Sequence, residues 1–211
     1  MCKSFNYKSL IYLNTQKDIP VQENFENGLK YAKGKYILYL ADDEAYVPHT
    51  LSSLRNIINK TNAEVISFGR KAAYVHPSNN TEDRESNTVQ IYPFTGKVFW
   101  IDTDSLLHSL ISSKGIIKND FGYSHRAWPL TVKTIIKKSI IDEIISELGT
   151  FHQKAPDWSS CVFTLSKIDK LILYDRHLNM AGVVPDSGGP SYAIRGNMEI
   201  KSQESLSDLT N

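Results

Sequence analysis

Residues 35–44 read KYILYLADDE, and this stretch decides the fold. Its first part, residues 35–40, is an almost continuous apolar run, which is typical of a strand in the middle of a sheet. The run ends abruptly in Ala41-Asp42-Asp43-Glu44. In open α/β sheets ligands bind outside the carboxyl ends of the strands. The sequence therefore predicts that the acidic residues lie at a ligand-binding edge.

Helical patterns flank this strand on both sides. Residues 20–33 carry apolar side chains at helical spacing and are followed by Gly34, which suits a C-cap, and Pro48 opens a second amphipathic segment. Further strands are predicted at 9–13, 64–68, 98–101 and 170–174, and further helices at 104–111, 139–148 and 157–168, the helix at 139–148 beginning with a capping box formed by Ser139 and Asp142. Alternating strands and helices predict an α/β fold with a mainly parallel sheet.

Composition narrows the class of protein. A chain of 211 residues fits one domain, and a net charge of +1 without a basic cluster argues against nucleic-acid binding. No apolar run reaches the roughly 18 residues of a membrane span, so no transmembrane segment is predicted. Cys2 and Cys161 are too far apart in sequence for a disulfide framework. These features predict a cytoplasmic protein, with peripheral attachment to the inner face of a membrane as an alternative.

The acidic cluster has two physical interpretations. Three carboxylates in a row repel one another, and a hard divalent cation such as Mn²⁺ or Mg²⁺ would relieve that repulsion because it prefers oxygen ligands. The other interpretation is a solvated acidic turn without a ligand. The buried-type strand that precedes Asp42 favours the functional interpretation, because it delivers the acids to a sheet edge.

A longer pattern surrounds the acids. The segments NFENGL at 24–29, AKGKYI at 32–37 and YLADDE at 39–44, followed by Pro48, resemble the central segment of the family 2 glycosyltransferases. The resemblance implies a GT-A fold and transfer from a nucleoside-diphosphate sugar, with a UDP-sugar as the first candidate, to a glycan or polysaccharide acceptor. It also implies that Asn24 and Asp42 lie on the nucleotide side and that Asp43 holds a Mn²⁺ or Mg²⁺ ion.

A second motif lies far downstream. Residues 155–160, APDWSS, are similar to the acceptor-side motif of a subset of the same family. That similarity implies that Asp157 is the base that deprotonates the acceptor, with inversion at the anomeric carbon. The other interpretation is that Asp157 is the N-cap of a helix, since aspartate is favoured there. The two roles compete, because a carboxylate that accepts capping hydrogen bonds is a weaker base.

The resemblance also indicates what the chain lacks. Family members begin with a strand, a Pro-Thr-Tyr-Asn-like turn, a helix and a second strand that hold the nucleotide base, and no such pattern precedes Leu10. We therefore expect an N-terminally incomplete GT-A-like domain at 1–198 and a flexible polar tail at 199–211. A second chain that completes the domain is one alternative. A catalytically inactive binding or scaffold module is another, and a metal-dependent nucleotidyl or phosphoryl enzyme is a third.

Several single residues have both a functional and a structural interpretation. His177 is a candidate third metal ligand or phosphate contact, although a lone histidine is more often structural. Arg176 and Arg195 are candidate diphosphate contacts or plain surface charges. Trp128 is the better candidate for stacking on an acceptor sugar, whereas Trp100 is predicted to lie in the core.

Overall fold

The computed structural model describes residues 9–68, 72–77, 87–91, 93–112 and 127–183. The helices in these ranges are α1 (Val21–Tyr31), α2 (Thr50–Thr61), α3 (Thr103–Ser112), α4 (Lys138–Leu148) and α5 (Pro156–Leu165), and a 3₁₀ turn spans Thr131–Lys133. The strands are β1 (Tyr36–Leu38), β2 (Glu44–Tyr46), β3 (Val65–Phe68), β4 (Ala72–Val75), β5 (Thr88–Gln90), β6 (Val98–Asp102), β7 (Thr134–Lys137), β8 (Lys170–Tyr174) and β9 (Asn179–Val183).

The main sheet has five strands in the order β1-β7-β3-β8-β6. Strand β7 pairs antiparallel with both β1 and β3, β3 pairs parallel with β8, and β6 pairs antiparallel with β8. Two antiparallel steps restore the original direction, so β1, β3 and β8 all run the same way. Their carboxyl ends meet at one edge of the sheet, where β1 leads into the acidic residues.

The second sheet has four strands in the order β2-β9-β4-β5. Strand β2 pairs antiparallel with β9, in the register Glu44↔Ala181, and β9 pairs parallel with β4, in the register Tyr74↔Gly182. Because β2 begins directly after the aspartates and β9 follows the end of β8, this small sheet is built against the carboxyl edge of the main sheet.

Alternating strand residues bury two apolar layers against the main sheet. On one face, Val65, Leu171 and Leu173 belong to a cluster that includes residues of α4 and α5. On the other face, Ile66 and Ile172 pack with Leu54 of α2. Successive strand side chains point to opposite faces, so a sheet that is covered on both sides reads as an unbroken apolar run.

The predicted α/β class is correct, but the mainly parallel sheet is not. Among the described pairings of the main sheet, only β3 with β8 is parallel. One antiparallel pairing joins β6 to β8, and the other two involve β7, which was not predicted as a strand from the sequence. Its last residue, Lys137, is followed immediately by the first residue of α4, so no Gly, Pro or Asn separates the strand from the helix.

Two local predictions also need correction. Residues 9–13 were expected to form a strand, yet they are exposed and adopt no regular structure, and no described strand pairs with them. The expected capping box at the start of α4 is absent, because the N-cap is Lys137 and makes no side-chain capping bond. Asp142 is instead 2.5 Å from the Lys138 ammonium. Gly149 does end the helix, in the left-handed conformation with φ 77°.

Two further predictions fall where the structure gives no description. The domain boundary expected at residue 198 and the polar tail at 199–211 both lie outside the described residues. In the part of the chain that is described, no helix combines the length and the apolar character needed to cross a membrane.

Candidate functional site

Asp42 and Asp43 lie in a tight turn between the two sheets. The Glu44 amide donates to the Ala41 carbonyl over 3.2 Å and closes the turn. The Tyr46 hydroxyl donates to the carbonyl of Tyr39, which fixes the entry of the turn to its exit. Asp42 and Asp43 are both exposed. The predicted carboxyl-edge position of the acids therefore agrees with the geometry.

Gly182 of β9 lies directly beneath this turn. Its amide donates a hydrogen bond to the Asp43 carbonyl, and any Cβ at this position would collide with that same oxygen. A residue without a side chain is required where two backbones approach this closely. Gly182 therefore allows the turn to sit on β9, a role that sequence analysis did not assign to it.

His76 lies beside Gly182 as well, and the sequence alone did not identify it as a candidate. A Cβ at Gly182 would lie 3.1 Å from the Asp43 Cβ and 3.2 Å from the His76 Nε2, so both atoms border the space beside the glycine. The ring of His76 contacts that of Tyr74, with centroids 4.8 Å apart. No sequence pattern predicts that residues 43, 76 and 182 lie together. They are brought together only by the pairing of β4 with β9 and of β2 with β9.

Asp43 and His76 carry oxygen and nitrogen donors of the kinds that divalent cations bind. Protein carboxylate and imidazole ligands bind divalent cations at about 2.0–2.2 Å. Within the described ranges no group of three or more His, Cys, Asp or Glu side chains is arranged to hold a metal. A cation here would therefore need oxygen atoms from a substrate, which is the usual situation at diphosphate sites.

Asp157 is not the N-cap of its helix. The N-cap of α5 is Ala155, Pro156 is the first helical residue, and no side-chain capping bond is present. Asp157 lies in the first turn, half-buried, and its Oδ1 is buried without a hydrogen-bond partner among the described residues. The capping interpretation is therefore wrong. The N-cap lies two residues earlier than expected because Pro156 is favoured at the first helical position and leaves the capping position to Ala155.

A chain of hydrogen bonds connects the acidic turn to the helix that carries Asp157. The fully buried Asn179 of β9 donates from Nδ2 to Glu44 Oε2 and to the Val132 carbonyl, each over 3.2 Å. Thr131, which precedes Val132 in the same 3₁₀ turn, donates to the Pro156 carbonyl over 3.2 Å. Its hydroxyl also lies 2.7 Å from the Ser160 hydroxyl. Two motifs that are more than 100 residues apart are thus linked to the same short turn, the acidic turn through Asn179 and α5 directly.

An aromatic cluster of Phe25, Tyr39 and His152 joins α1 to the loop before α5. Phe25 of α1 contacts both Tyr39, which follows β1, and His152, with ring centroids 5.4 and 5.2 Å away. Burial, with a smaller contribution from the Glu26 charge, raises the pKa of Tyr39. The Tyr39 hydroxyl is buried and has no hydrogen-bond partner among the described atoms. The predicted nucleotide-side residue Asn24 precedes Phe25 and is exposed on α1.

The exposure of Trp128 and of Trp100 differs from what the sequence predicts. Trp128 is only 4% exposed and therefore cannot stack on a bound sugar directly. Its ring contacts Trp158, with centroids 5.4 Å apart, and Trp158 is 36% exposed. Trp100, expected in the core, lies on the edge strand β6 with 48% exposure, beneath the Lys170 ammonium. Apolar strand residues on an edge strand face solvent on one side, and sequence alone does not show which strand is the edge.

The remaining candidates are structural or lie outside the description. His177 is buried and its ring packs against Phe94, with centroids 4.9 Å apart, which fits the structural interpretation. The Arg176 guanidinium donates to the Tyr174 hydroxyl over 3.4 Å. Arg195 lies outside the described residues.

Comparison with known families gives one match. Residues 1–112 match the family described as glycosyl transferase family 2. The matched segment is more than half of the chain and contains the acidic turn, which confirms the resemblance and, with it, the predicted GT-A-like α/β fold. It ends before residues 155–160, so the assignment of Asp157 rests on the second motif alone.

Three solved structures of a Staphylococcus aureus TarS fragment share a distant likeness in shape. The fragment with UDP-GlcNAc has a TM-score of 0.45 at 14% identity, and the match covers 77% of this chain and 39% of that one. The fragment with UDP gives 0.44, 13%, 79% and 41%, and the fragment without ligand gives 0.44, 14%, 77% and 40%. This chain thus spans about two fifths of the matched structures. No curated protein sequence matches it significantly.

Proposed function

The chain belongs to glycosyl transferase family 2, and on that premise we propose that it transfers a sugar, with inversion, from a nucleoside diphosphate to a hydroxyl group of a glycan or polysaccharide. We further propose that a divalent cation at Asp43 assists the transfer. A UDP-sugar is the first donor to test. The residues on the donor side are Asn24, Asp42 and Asp43, and Asp157 is the base.

One observation carries this proposal. The acidic turn and the helix of Asp157 are both bonded to the 3₁₀ turn Thr131–Lys133, through Asn179 on one side and Thr131 on the other. An inverting transfer needs a leaving-group site and a base on opposite sides of one sugar ring. The shared turn supports such an arrangement, because it holds the two motifs at the same edge of the molecule.

Asp43 and His76 are the residues that would hold the cation. When bound, a divalent cation stabilises the negative charge that develops on the departing diphosphate. The mixed oxygen and nitrogen donor set favours Mn²⁺ over Mg²⁺, because Mg²⁺ binds almost entirely through oxygen whereas imidazole suits the transition metals. Asp42, exposed beside Asp43, is left free to contact the nucleotide.

Asp157 has the properties of a general base. A positioned carboxylate is one of the side chains that act as general bases, and the buried Oδ1 of Asp157 accepts no hydrogen bond from the described residues. In the reaction the acceptor hydroxyl oxygen bonds to the anomeric carbon as its proton passes to Asp157. The bond from that carbon to the diphosphate oxygen breaks, and its electron pair stays with the diphosphate.

Nucleotide binding gives the first test. UDP, GDP and CDP are each added to the purified chain with and without Mn²⁺, and the unfolding temperature is measured, because a ligand that binds only the folded state raises it. We expect a Mn²⁺-dependent rise with one nucleotide and its loss in Asp43→Asn. Asp169→Asn, which changes an exposed aspartate just before β8, is the matched control.

Turnover gives the second test. Release of nucleoside diphosphate from a panel of nucleotide sugars should fall by about 100-fold or more in Asp157→Asn, as expected for loss of a general base, while nucleotide binding persists. An Asp157→Asn variant with the wild-type rate would show that Asp157 is not the base. Nucleotide binding without any turnover of the panel would instead support the inactive binding module.

A further inference from the structure

Glu26 of α1 holds the loop that leads to α5. Its Oε1 accepts hydrogen bonds from the backbone amides of Phe151 and His152, over 3.0 and 2.7 Å, and lies 2.9 Å from the Nδ1 of His152. A single carboxylate oxygen therefore fixes both the backbone and the ring of this segment. The contact joins α1, which belongs to the donor-side motif, to a loop five residues before Asp157.

The ring of His152 is enclosed. Its side chain has no exposed surface, and it packs against Phe25, Tyr39 and Phe151 with centroids 4.8–5.2 Å away. Burial lowers the pKa of His152, although Glu26 and, more weakly, Asp157 oppose the shift. A neutral imidazole beside a carboxylate donates from Nδ1, which assigns the lone pair to Nε2.

Three buried polar atoms in this region lack partners among the described residues: the His152 Nε2, the Tyr39 hydroxyl and the Asp157 Oδ1. Buried polar atoms are nearly always paired, so a group of unpaired ones requires an explanation. Asp157 lies near enough for its charge to act on His152.

We propose that the half-buried Glu26 and the buried His152 form a pair that positions Asp157, tying the loop before α5 to the donor-side helix α1. Both act through Asp157 and neither touches substrate, so they are positioning residues. This inference rests on the proposed function for its catalytic meaning. The contact between α1 and the loop before α5 can be tested without measuring turnover.

The kinetic test compares Glu26→Ala, Glu26→Gln and Asp157→Asn by release of nucleoside diphosphate. We expect Glu26→Ala to lower kcat at least tenfold with the donor KM unchanged within twofold. Glu26→Gln should recover part of kcat, because its amide oxygen still accepts the two backbone bonds. Glu23→Gln, which changes an exposed glutamate on the same helix, should match wild type.

The double variant identifies the route of the effect. If Glu26 acts through Asp157, Glu26→Ala should cause no further loss of kcat in the Asp157→Asn background. An equal loss in both backgrounds, or a raised donor KM with unchanged kcat, would overturn the proposal.

NMR separates this inference from the proposed function. Glu26→Ala should shift the backbone amide signals of residues 157–159, and Asp157→Asn should lower the pKa of the His152 ring. Unchanged amide signals would overturn the positioning role whatever the activity. Shifted signals together with full turnover by Asp157→Asn would leave the contact standing and refute the base.

Discussion

The backbone amide of Gly182 donates a 2.6 Å hydrogen bond to the carbonyl oxygen of Asp43. This bond places strand β9 against the acidic turn, at the point where the Asp43 Cβ and the His76 Nε2 border the space beside Gly182. Because no side chain fits between the two backbones, the position of the aspartate depends on a residue 139 positions later in the chain. A carboxylate can serve a bound cation only while its backbone is fixed, so Gly182 belongs to the site.

Gly182→Ala should therefore destabilise the protein and disturb the turn. The added Cβ would meet the Asp43 carbonyl, and such overpacking costs about 1–3 kcal/mol of unfolding free energy. Urea unfolding measures this loss, and the Mn²⁺-dependent response to UDP should weaken in parallel. Gly28→Ala is the control. A Cβ at this position meets nothing within 4 Å, and the substitution removes a glycine from helix α1. It should stabilise the protein by about 0.5–1 kcal/mol. A Gly182→Ala variant as stable as wild type would refute the close approach.

His76→Asn should weaken Mn²⁺ binding more than Mg²⁺ binding. The imidazole nitrogen is the donor that favours the transition metal, and an asparagine at that position removes it. The apparent Mn²⁺ affinity in the presence of UDP, measured by thermal shift or by the electron paramagnetic resonance of free Mn²⁺, should fall about tenfold or more, as for loss of a ligand. His49→Asn, which changes an exposed histidine in the left-handed conformation that asparagine tolerates, should leave it unchanged. Equal losses for both ions would show that His76 is not a ligand.

Sequence reasoning succeeded where the signal is local. The helix at 20–33, the strand that precedes Asp42 and the strand at Lys170–Tyr174 are all present, because each has an apolar pattern bounded by Gly, Pro or acidic residues. The family was identified from residues 24–48 for the same reason, and the match over residues 1–112 confirms it. Periodicity and punctuation are properties of neighbouring residues, so they can be read from one chain.

The missed features depend on contacts between distant segments. His76 and Gly182 meet Asp43 only because β9 pairs with both β2 and β4, and no short-range pattern encodes that pairing. The exposure of Trp100 likewise follows from the place of β6 at the edge of its sheet. The position of Asp157 inside the first turn, rather than at the cap, follows from which residue before Pro156 leaves the helical conformation.

Asp157→Asn should leave stability nearly unchanged. A lost N-cap would cost about 0.5–2 kcal/mol, but Asp157 makes no capping bond and its buried Oδ1 has no hydrogen-bond partner among the described residues. Removing its charge gives up a favourable helix-dipole interaction of about 0.3–1 kcal/mol and removes a poorly solvated group, so the two effects oppose each other. Ser160→Ala is the comparison, because it breaks a buried contact with Thr131 and should cost about 1 kcal/mol. If Asp157→Asn were the more destabilising change in urea unfolding, the aspartate would have a structural role.

Asp175→Asn should destabilise the protein substantially. The Asp175 side chain is 1% exposed, and its Oδ2 accepts hydrogen bonds from the Thr95 amide and hydroxyl, over 2.9 and 2.8 Å. Hydrogen bonds to a charged acceptor contribute about 1.5–3 kcal/mol, and the asparagine would present a neutral group there. Asp169→Asn, at the opposite end of strand β8 and exposed, should have an effect within about 0.5 kcal/mol in the same unfolding experiment. Equal effects of the two variants would contradict the anchoring of residues 93–97 by Asp175.

His152 should make stability depend on pH in a defined direction. Burial lowers its pKa in the folded protein below the ordinary value of 6.5, so the unfolded chain binds the proton more tightly. Stability therefore rises with pH, and this contribution is complete above about pH 6.5 and is lost as the pH falls from there through the folded pKa. The free energy of unfolding, measured in urea between about pH 5 and 8, should fall on acidification more steeply in wild type than in His152→Gln.

The Glu26→Gln variant sharpens the same measurement. Glu26 raises the pKa of His152 through its hydrogen bond and its charge, against the larger effect of burial. Without that charge the folded pKa falls further, so the pH window over which stability is lost should widen toward lower pH, and the drop should be larger than in wild type. A Glu26→Gln profile that is flatter than that of wild type would mean that the imidazole is charged in the folded protein. Parallel profiles for wild type and His152→Gln would mean that His152 titrates alike in the folded and unfolded chains, and would remove the buried neutral imidazole from the account of this site.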